Sequence, residues 1–299
     1  MAEGISAFLT PQELHKLGRL VLQSRYVVEG TLAGRHRSPF KGASSEFADH
    51  RQYMEGDDPK RIDWKVLGRT DRYFIRRYED ETNLRVYLVM DRSASMGYAH
   101  GGKSKYEYAC RLAAAIGYVV LKARDSVGLY IFSDKMDAAM GPRNSFAHLN
   151  NLLRVLQQTA PASTTNTAQT LHTIAESIQR RALIVLFSDL FDDFEATVHA
   201  LAHFRKQHHD VILFHTLDPA ELDLPFTRGA EFEDMETKER LVVDPRALAP
   251  DYRKLLGDFL KECQDRCAQM KIDYRLVNTS IDCETFVRAY LEERRRLSR

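Results

Sequence analysis

The sequence predicts an α/β protein with a doubly wound, mostly parallel sheet, preceded by an N-terminal helix and a β-rich extension. From Leu84 onward, short apolar runs alternate with longer segments of helical periodicity, which is typical of a parallel sheet with helices on both faces. Two of the runs, "ALIVLFSD" and "DVILFHTL", are apolar almost throughout, as expected for strands covered on both faces. A chain of 299 residues has room for one such domain and an extension.

The part of the chain before Leu84 is predicted to hold one helix and several short extended pieces. Residues 10–13, "TPQE", supply a capping threonine, a proline suited to the first helical position and a capping-box glutamate. Glycines and prolines then interrupt the chain over 30–81. A short helix is expected to begin after Asp58 and to end before Gly68, and residues 72–80 are expected to form a strand.

The α/β domain is predicted to span 84–299, with the first 83 residues packed on it. Its strands are expected at 84–90, 126–132, 182–188, 211–217 and 272–277. Its helices are expected near 104–123, 145–158, 168–180, 193–207, 247–269 and 283–296. Residues 230–243 are expected to form an added hairpin that turns near 236–238.

Composition excludes several classes of function. With 43 basic and 42 acidic residues, the chain has no general charge that favours nucleic acid or a membrane surface. The N-terminus lacks the pattern of a secretory signal, and the longest apolar run, 112–121, is too short for a membrane span. The four cysteines form no CxxC pair and are expected to be reduced, partly buried thiols. These features predict a cytoplasmic protein.

Polar side chains follow two of the predicted strands. The stretch "DRSASMG" carries Asp91, Ser93 and Ser95 directly after the first strand of the domain, and Asp189 follows a later strand. Ligands of open α/β sheets bind beyond the carboxyl ends of the strands, so these side chains are expected at one edge. The loop "APASTTNTAQTL" adds hydroxyls from Thr164, Thr165 and Thr167.

Two catalytic interpretations of this edge are weaker than a metal site. A serine nucleophile on such a sheet needs the elbow G-x-S-x-G, but Asp91 stands where the first glycine should be. Residues 97–104, "GYAHGGKS", match the phosphate-loop expression G-x-x-x-x-G-K-[ST] and leave a nucleotide-binding enzyme as an alternative. Six residues separate this loop from its strand, whereas a phosphate loop leaves its strand directly.

A divalent-cation site would account for the aspartates, the serines and the threonine loop together. Mg²⁺ prefers hard oxygen ligands, which serine and threonine hydroxyls and aspartate carboxylates supply. The remaining alternative is a structural domain with an empty site, in which the aspartates only cap helices and the serines only satisfy a turn.

The same residues resemble the metal-ion-dependent adhesion site (MIDAS) of von Willebrand factor A domains. That site combines D-x-S-x-S, here 91–95, with a threonine from a second loop and an aspartate that ends a later strand. The resemblance implies a Mg²⁺ or Mn²⁺ site formed by Asp91, Ser93, Ser95, Thr165 and Asp189. Thr165 is chosen because the family's threonine precedes an asparagine. The resemblance also implies that a Glu or Asp of a protein partner completes the coordination, with no catalysis.

A second resemblance covers the preceding block and extends the family likeness to most of the chain. Residues 42–81 are similar to the bacterial family called domain of unknown function 58. The matching residues are Gly42, Glu46, Phe47, Arg51, Tyr53, Gly56, Asp57, Asp58, Ile62, Asp63, Trp64, Arg69, Tyr78 and Glu79. This resemblance implies a MoxR-type AAA+ ATPase as partner and a chaperone-like role in assembling or maturing other proteins. Trp64 is expected to be a packing anchor within a local salt-bridge lattice, with a docking face as the alternative.

Overall fold

The structure is a computed structural model, and it describes residues 3–18, 47–54, 62–78, 84–161, 167–226, 229–235 and 238–297. The chain divides into two compact units. The larger unit comprises residues 1–34 and 84–299, and the smaller comprises 35–83. The N-terminal helix therefore groups with the α/β domain, although the sequence assigned it to the extension.

The larger unit begins with two helices, α1 (Glu3–Ser6) and α2 (residues 11–18). The predicted capping box is present before α2. Thr10 N donates to Glu13 Oε2 over 2.6 Å, and Glu13 N donates to Thr10 Oγ1 over 3.3 Å. Glu13 also forms an ion pair with Arg111, in which Glu13 Oε1 lies 2.6 Å from Arg111 Nη2. This contact connects the start of α2 to the rest of the unit.

The smaller unit contains β1 (Phe47–Gln52), α3 (Trp64–Thr70) and β2 (Phe74–Tyr78), with the two strands antiparallel. The predicted bounds of the helix were wrong. Asp63 caps the helix by accepting from the amides of Lys65 and Val66, and Gly68 lies inside it. A mid-helix glycine costs only about 1 kcal/mol, so the cap and the left-handed residue that follows Thr70 set the boundaries instead.

Two other expectations for this unit have different outcomes. Trp64 is 63% exposed, so the prediction of a packing anchor was wrong. Among the residues of this unit whose side chains the structure describes, the buried apolar ones are Ile62 and Ile75, which form an antiparallel bridge. The predicted cap at Asp58 lies outside the described residues.

The larger unit has a central sheet flanked by helices. Its strands are β3 (Arg85–Asp91), β4 (Ser126–Phe132), β5 (Met136–Arg143), β6 (Leu183–Ser188), β7 (Asp210–Leu217), β8 (Ala230–Glu233), β9 (Arg240–Val243) and β10 (Asp273–Asn278). Its further helices are α4 (Lys105–Lys122), α5 (Phe146–Gln158), α6 (Thr167–Ser177), α7 (Phe194–Lys206), α8 (Pro219–Asp223), α9 (Pro245–Gln269) and α10 (Cys283–Leu297).

The order of the six central strands is β10-β7-β6-β3-β4-β5, and every neighbouring pair is parallel except β4–β5. Chain order runs outward from β3 in both directions, so the predicted doubly wound, mostly parallel sheet is confirmed. The strands β8 and β9 pair as the predicted hairpin.

The apolar strand sequences are explained by the two cores that they separate. In β3, Leu88 and Met90 pack into one core, while Val89 packs into the other. All three side chains are fully buried because helices cover both faces of the sheet. The four cysteines are free, as the sequence predicts, and all four are buried, whereas the sequence predicted only partial burial.

The antiparallel strand β5, at one edge of the sheet, was not predicted from the sequence. Its side chains are mostly exposed, and it contains Gly141 and Pro142, which are poor strand formers. Gly128 of β4 permits the pairing, since a Cβ there would lie 2.7 Å from the carbonyl oxygen of Met140.

In the described part of the chain, no helix is both long enough and apolar enough to cross a membrane.

Candidate metal site

The carboxyl ends of β3 and β6 bring Asp91 beside Ser188. These strands are parallel neighbours in which Met90 lies opposite Phe187, so the next residue of each strand reaches the same edge. The hydroxyl of Ser188 donates to Asp91 Oδ2 over 2.6 Å. Asp189 directly follows β6 and is also buried. The structure therefore brings the two predicted aspartates to one edge of the sheet.

The backbone after Asp91 folds into a tight loop that directs two hydroxyls at each other. Asp91 Oδ1 accepts from Ser93 N over 2.8 Å, and Ser95–Gly97 form a single turn of 3₁₀-helix. Met96 is fully buried and fixes this turn to the core. The Oγ atoms of Ser93 and Ser95 then lie 3.0 Å apart.

The electrostatics of Asp91 are unusual for a structural carboxylate. Burial raises its pKa, and the nearby charge of Asp189 raises it further, to about 7. Hydrogen bonds from Ser188 and Ser93 only partly offset these two effects. At this position the charged carboxylate is destabilised near neutral pH, and a cation beside it would stabilise it.

Asp189 is held by a buried lysine that was not identified from the sequence. Lys105, the first residue of α4, has no exposed surface, and its Nζ lies 2.7 Å from Asp189 Oδ2 and 2.5 Å from Glu221 Oε1. The ring of Phe191 covers the ammonium group with its centroid 4.8 Å away. Burial alone would lower the pKa of Lys105, but Asp189 and Glu221 outweigh it and raise that pKa. The lysine is therefore charged.

A buried histidine fixes the backbone of Asp189. His215 lies on β7, and burial lowers its pKa to about 4, so the imidazole is neutral at physiological pH. Its Nε2 donates to the carbonyl oxygen of Asp189 over 2.8 Å, because that oxygen can only accept. Its Nδ1 then accepts from the hydroxyl of Tyr274, also over 2.8 Å. This chain of hydrogen bonds determines the tautomer and holds the end of β6 in place.

The third predicted element of the site is only partly described. Thr164 and Thr165 lie outside the described residues, so the choice of Thr165 stays a prediction. Thr167 is the buried first residue of α6, and its amide donates to Asp192 Oδ2 over 3.0 Å. Asp192 thus binds the start of α6, while its neighbour Asp193 caps α7.

Arg92, within the motif itself, holds the start of this third loop. Its guanidinium binds both carboxylate oxygens of Asp137 on β5, at 2.6 and 3.2 Å. It also donates to the carbonyl oxygen of Ala160 over 3.2 Å. One side chain thus connects the edge strand, the D-x-S-x-S loop and the segment that leads toward the threonines.

A cleft of about 320 Å³ opens beside the serines. Its lining consists of Ser95, Tyr98, Phe191, Glu221, Glu233, Asp234 and Met235. The last three of these belong to the hairpin segment, which is joined to the 97–104 loop by ring contacts of Phe226 with His100 and with Phe232. The predicted hairpin insertion therefore forms one wall of the candidate site.

The donor set fits a small hard cation. Adjacent ligands of an octahedral ion with bonds of about 2.1 Å are separated by about 3 Å, which matches the distance between the two serine oxygens. Two buried carboxylates supply the charge that such an ion needs. Among the described residues, no group of three or more His, Cys, Asp or Glu side chains has a metal-binding arrangement. A site here would depend on hydroxyl oxygens.

The phosphate-loop geometry is not favoured at residues 97–104. Ser104 and Glu107 form a capping box, in which Glu107 N donates to Ser104 Oγ and Ser104 N donates to Glu107 Oε2. The start of α4 thus already carries a carboxylate where a phosphate would bind. Lys103, the lysine of the motif, is exposed, while the buried lysine is Lys105.

Comparison with known proteins identifies the family. The family described as "Protein of unknown function DUF58" matches residues 49–258, which is more than two thirds of the chain. The chain belongs to the DUF58 family. Two relatives, Uncharacterized protein Rv1480 of Mycobacterium tuberculosis and Uncharacterized protein Mb1516 of Mycobacterium bovis, are each 27% identical to it over 251 residues. Each match covers 82% of this chain and 78% of the relative.

Solved structures give more distant matches. The protein BatB from Bacteroides thetaiotaomicron is 15% identical, with a TM-score of 0.46, covering 71% of this chain and 99% of that one. An aerotolerance-related membrane protein from Bacteroides fragilis is 16% identical, with a TM-score of 0.48, covering 71% and 98%. These TM-scores are too low to support a conclusion about the fold. The fold of this DUF58 chain is established by its own strand order.

Several residues of the site in this DUF58 protein were missed, although the sequence carried signals for them. Lys105 shares one face of α4 with Tyr108, Ala109 and Leu112, at the spacing of a buried stripe. A charged residue on such a stripe needs a partner. His215 interrupts an otherwise apolar strand in the same way. Glu221 completes the pattern D-P-A-E, a capping box directly after β7.

Proposed function

We propose that this DUF58 protein is a metal-dependent protein-interaction module that uses a MIDAS-type site. Asp91, Ser93, Ser95, Thr165 and Asp189 would hold Mg²⁺ or Mn²⁺ at the carboxyl edge of the sheet. The ion would supply an electron-poor position to which a partner's carboxylate binds. The residues of this chain would bind and orient that carboxylate without a chemical step.

The observation that carries the proposal is that neutral hydroxyl oxygens and buried carboxylates occur together at one edge of the sheet. Ser93 and Ser95 present neutral oxygens 3.0 Å apart. Asp91 is buried and accepts from Ser93 N, and its pKa is raised by burial and by the charge of Asp189, which is also buried. A purely structural turn would need the hydroxyls, but it gains nothing from two neighbouring buried carboxylates.

The cleft beside Ser95 supports a protein ligand. It has room for a side chain of a partner, and Tyr98 and Phe191 offer apolar surface there. Of the acidic residues that also line it, Glu221 is paired with Lys105 and Glu233 with Arg240. Phe191 is 47% exposed, which is typical of an aromatic contact residue that a partner covers.

The partner that we propose is a MoxR-type AAA+ ATPase, in a cytoplasmic, chaperone-like role in the assembly or maturation of other proteins. This part rests on the DUF58 resemblance alone. The metal site gives it a testable form, since binding to the ATPase should require a divalent cation and one acidic residue of the ATPase.

The experiment is a binding measurement by biolayer interferometry with the ATPase of this type from the same genome. We expect binding in about 5 mM Mg²⁺ and loss of binding in EDTA or with Ser95→Ala. The control variant Ser145→Ala removes an exposed hydroxyl that makes no capping bond, and it should bind normally. Binding that survives both EDTA and Ser95→Ala would show that the partner uses another surface.

The alternatives are a nucleotide-binding enzyme and a structural domain with an empty site. The capping box at Ser104 disfavours the first, because Glu107 would face the phosphates. The raised pKa of Asp91 disfavours the second, since an empty structural site would be more stable with a neutral side chain at that position.

A further inference from the structure

The most unusual side chain near the candidate metal site is Lys105. A lysine without any exposed surface is rare in folded proteins and needs charged partners. Its ammonium group contacts Asp189 at 2.7 Å and Glu221 at 2.5 Å, and the face of Phe191 closes the pocket. None of these contacts is made with Asp91, which is the other carboxylate at this edge.

Lys105 and a divalent cation would need the same carboxylate. A cation beside Ser93 and Ser95 would draw on the charge of both Asp91 and Asp189. One oxygen of Asp189 is bound to Lys105, and the other accepts from the amide of Phe191 over 3.3 Å. The full negative charge of Asp189 is therefore available to a divalent cation only if the ammonium group of Lys105 no longer binds Asp189.

We infer that Lys105 is a built-in competitor of the divalent cation, holding Asp189 in a metal-free state and releasing it when the metal binds. This inference rests on the metal-dependent function proposed above and concerns its regulation. Lys105 sets how much free metal is needed to switch the interaction on.

Glu221 is a second carboxylate partner of Lys105. Its other carboxylate oxygen accepts from Asp218 N over 2.8 Å, which fixes Glu221 at the start of α8. When Asp189 turns to the metal, Lys105 keeps Glu221 as its counter-ion and no unpaired ammonium is left buried. The exchange is thus reversible, and it connects the metal site to α8, whose backbone at Glu221 accepts from Tyr252 of α9 over 2.6 Å.

The alternative is that Lys105 only stabilises the fold, in which case its removal should leave metal affinity unchanged or lower it. Two variants separate these possibilities. Lys105→Met removes the ammonium group and keeps the length of the side chain. The double variant Lys105→Met/Glu221→Gln removes one positive and one negative charge, so the net charge of the site stays that of the wild type. It also avoids leaving the carboxylate of Glu221 buried without the ammonium group of Lys105.

The experiment is a titration with Mn²⁺ followed by the electron paramagnetic resonance signal of the free ion, on proteins checked for folding by circular dichroism. We expect both variants to bind Mn²⁺ at least about ten times more tightly than the wild type, because in both of them Asp189 is no longer bound by an ammonium group and its charge can attract the cation. Lys103→Met, two residues earlier on the exposed loop, is the matched control and should keep the wild-type affinity.

The outcomes separate this inference from the proposed function. If the wild type binds Mn²⁺ and the double variant binds it equally or more weakly, Lys105 is not a competitor, while the metal site stands. If the wild type does not bind but the double variant does, Lys105 blocks the site fully and the metal-dependent function fails. If neither binds, both proposals are wrong.

Discussion

Replacing Asp91 by asparagine should stabilise the metal-free protein at pH 8. Asparagine has the shape of aspartate, can accept from Ser93 N through Oδ1 and can donate to the hydroxyl of Ser188. It removes a buried negative charge whose pKa is raised from 3.8 to about 7, mainly by burial and then by the charge of Asp189. A tenfold change in proton affinity corresponds to about 1.4 kcal/mol, so the gain in unfolding free energy is up to about 4 kcal/mol.

The sign follows from proton binding. Between pH 4 and pH 7 the folded wild type holds a proton on Asp91 that the unfolded chain has lost, so its stability falls as pH rises through this range. The advantage of Asp91→Asn should therefore be largest at pH 8 and fade toward pH 4. His215 titrates in the opposite sense, since burial lowers its pKa, but it is common to both proteins and cancels in the difference.

The assay is urea unfolding of both proteins in EDTA at several pH values between 5 and 8, followed by circular dichroism. If Asp91→Asn is less stable than the wild type at pH 8, Asp91 is a structural hydrogen-bond acceptor. The proposed cation site would then lose its electrostatic support.

Three further predictions concern the same edge of the sheet. Mg²⁺ at about 100 times its dissociation constant should add about 2.7 kcal/mol to the unfolding free energy of the wild type and of Ser145→Ala, but nothing to Ser95→Ala; an equal effect on all three would place the ion elsewhere. His215→Phe should cost about 1–3 kcal/mol in urea unfolding, because it leaves the Asp189 carbonyl unpaired, whereas the exposed control His199→Phe should cost little; equal costs would show that the hydrogen bond is unimportant. Calorimetric titration of the protein, already saturated with Mg²⁺, with ATP should detect no nucleotide binding, and tight binding that disappears in Lys103→Ala would support the nucleotide-binding alternative.

The sheet could be predicted from the sequence because its strands are buried on both faces. Continuous apolar runs such as that of β6 have few other interpretations in an alternating chain. The edge strand β5 was not predicted, because most of its side chains are exposed and its sequence includes Gly141 and Pro142. Its pairing with β4 and the contact of Asp137 with Arg92 involve no local pattern that the sequence could reveal.

The candidate site was predictable in part. Asp91, Ser93, Ser95 and Asp189 follow strand ends, so sequence order alone places them at one edge. The apolar spacing of α4 indicates that Lys105 is buried, but not which carboxylates it binds. Its partners Asp189 and Glu221 come from segments that are distant in the sequence, so this contact could not be assigned in the same way.

The most direct test of the proposed metal site is a crystal structure of the wild type grown with millimolar Mn²⁺, with anomalous diffraction data. We predict one anomalous peak about 2.1 Å from the Oγ atoms of both Ser93 and Ser95, at the edge formed by Asp91 and Asp189. Lys105 should then contact Glu221 and no longer Asp189. A structure without a peak between the two serines, or with a peak only at another place, would contradict the claim that this edge is a metal site.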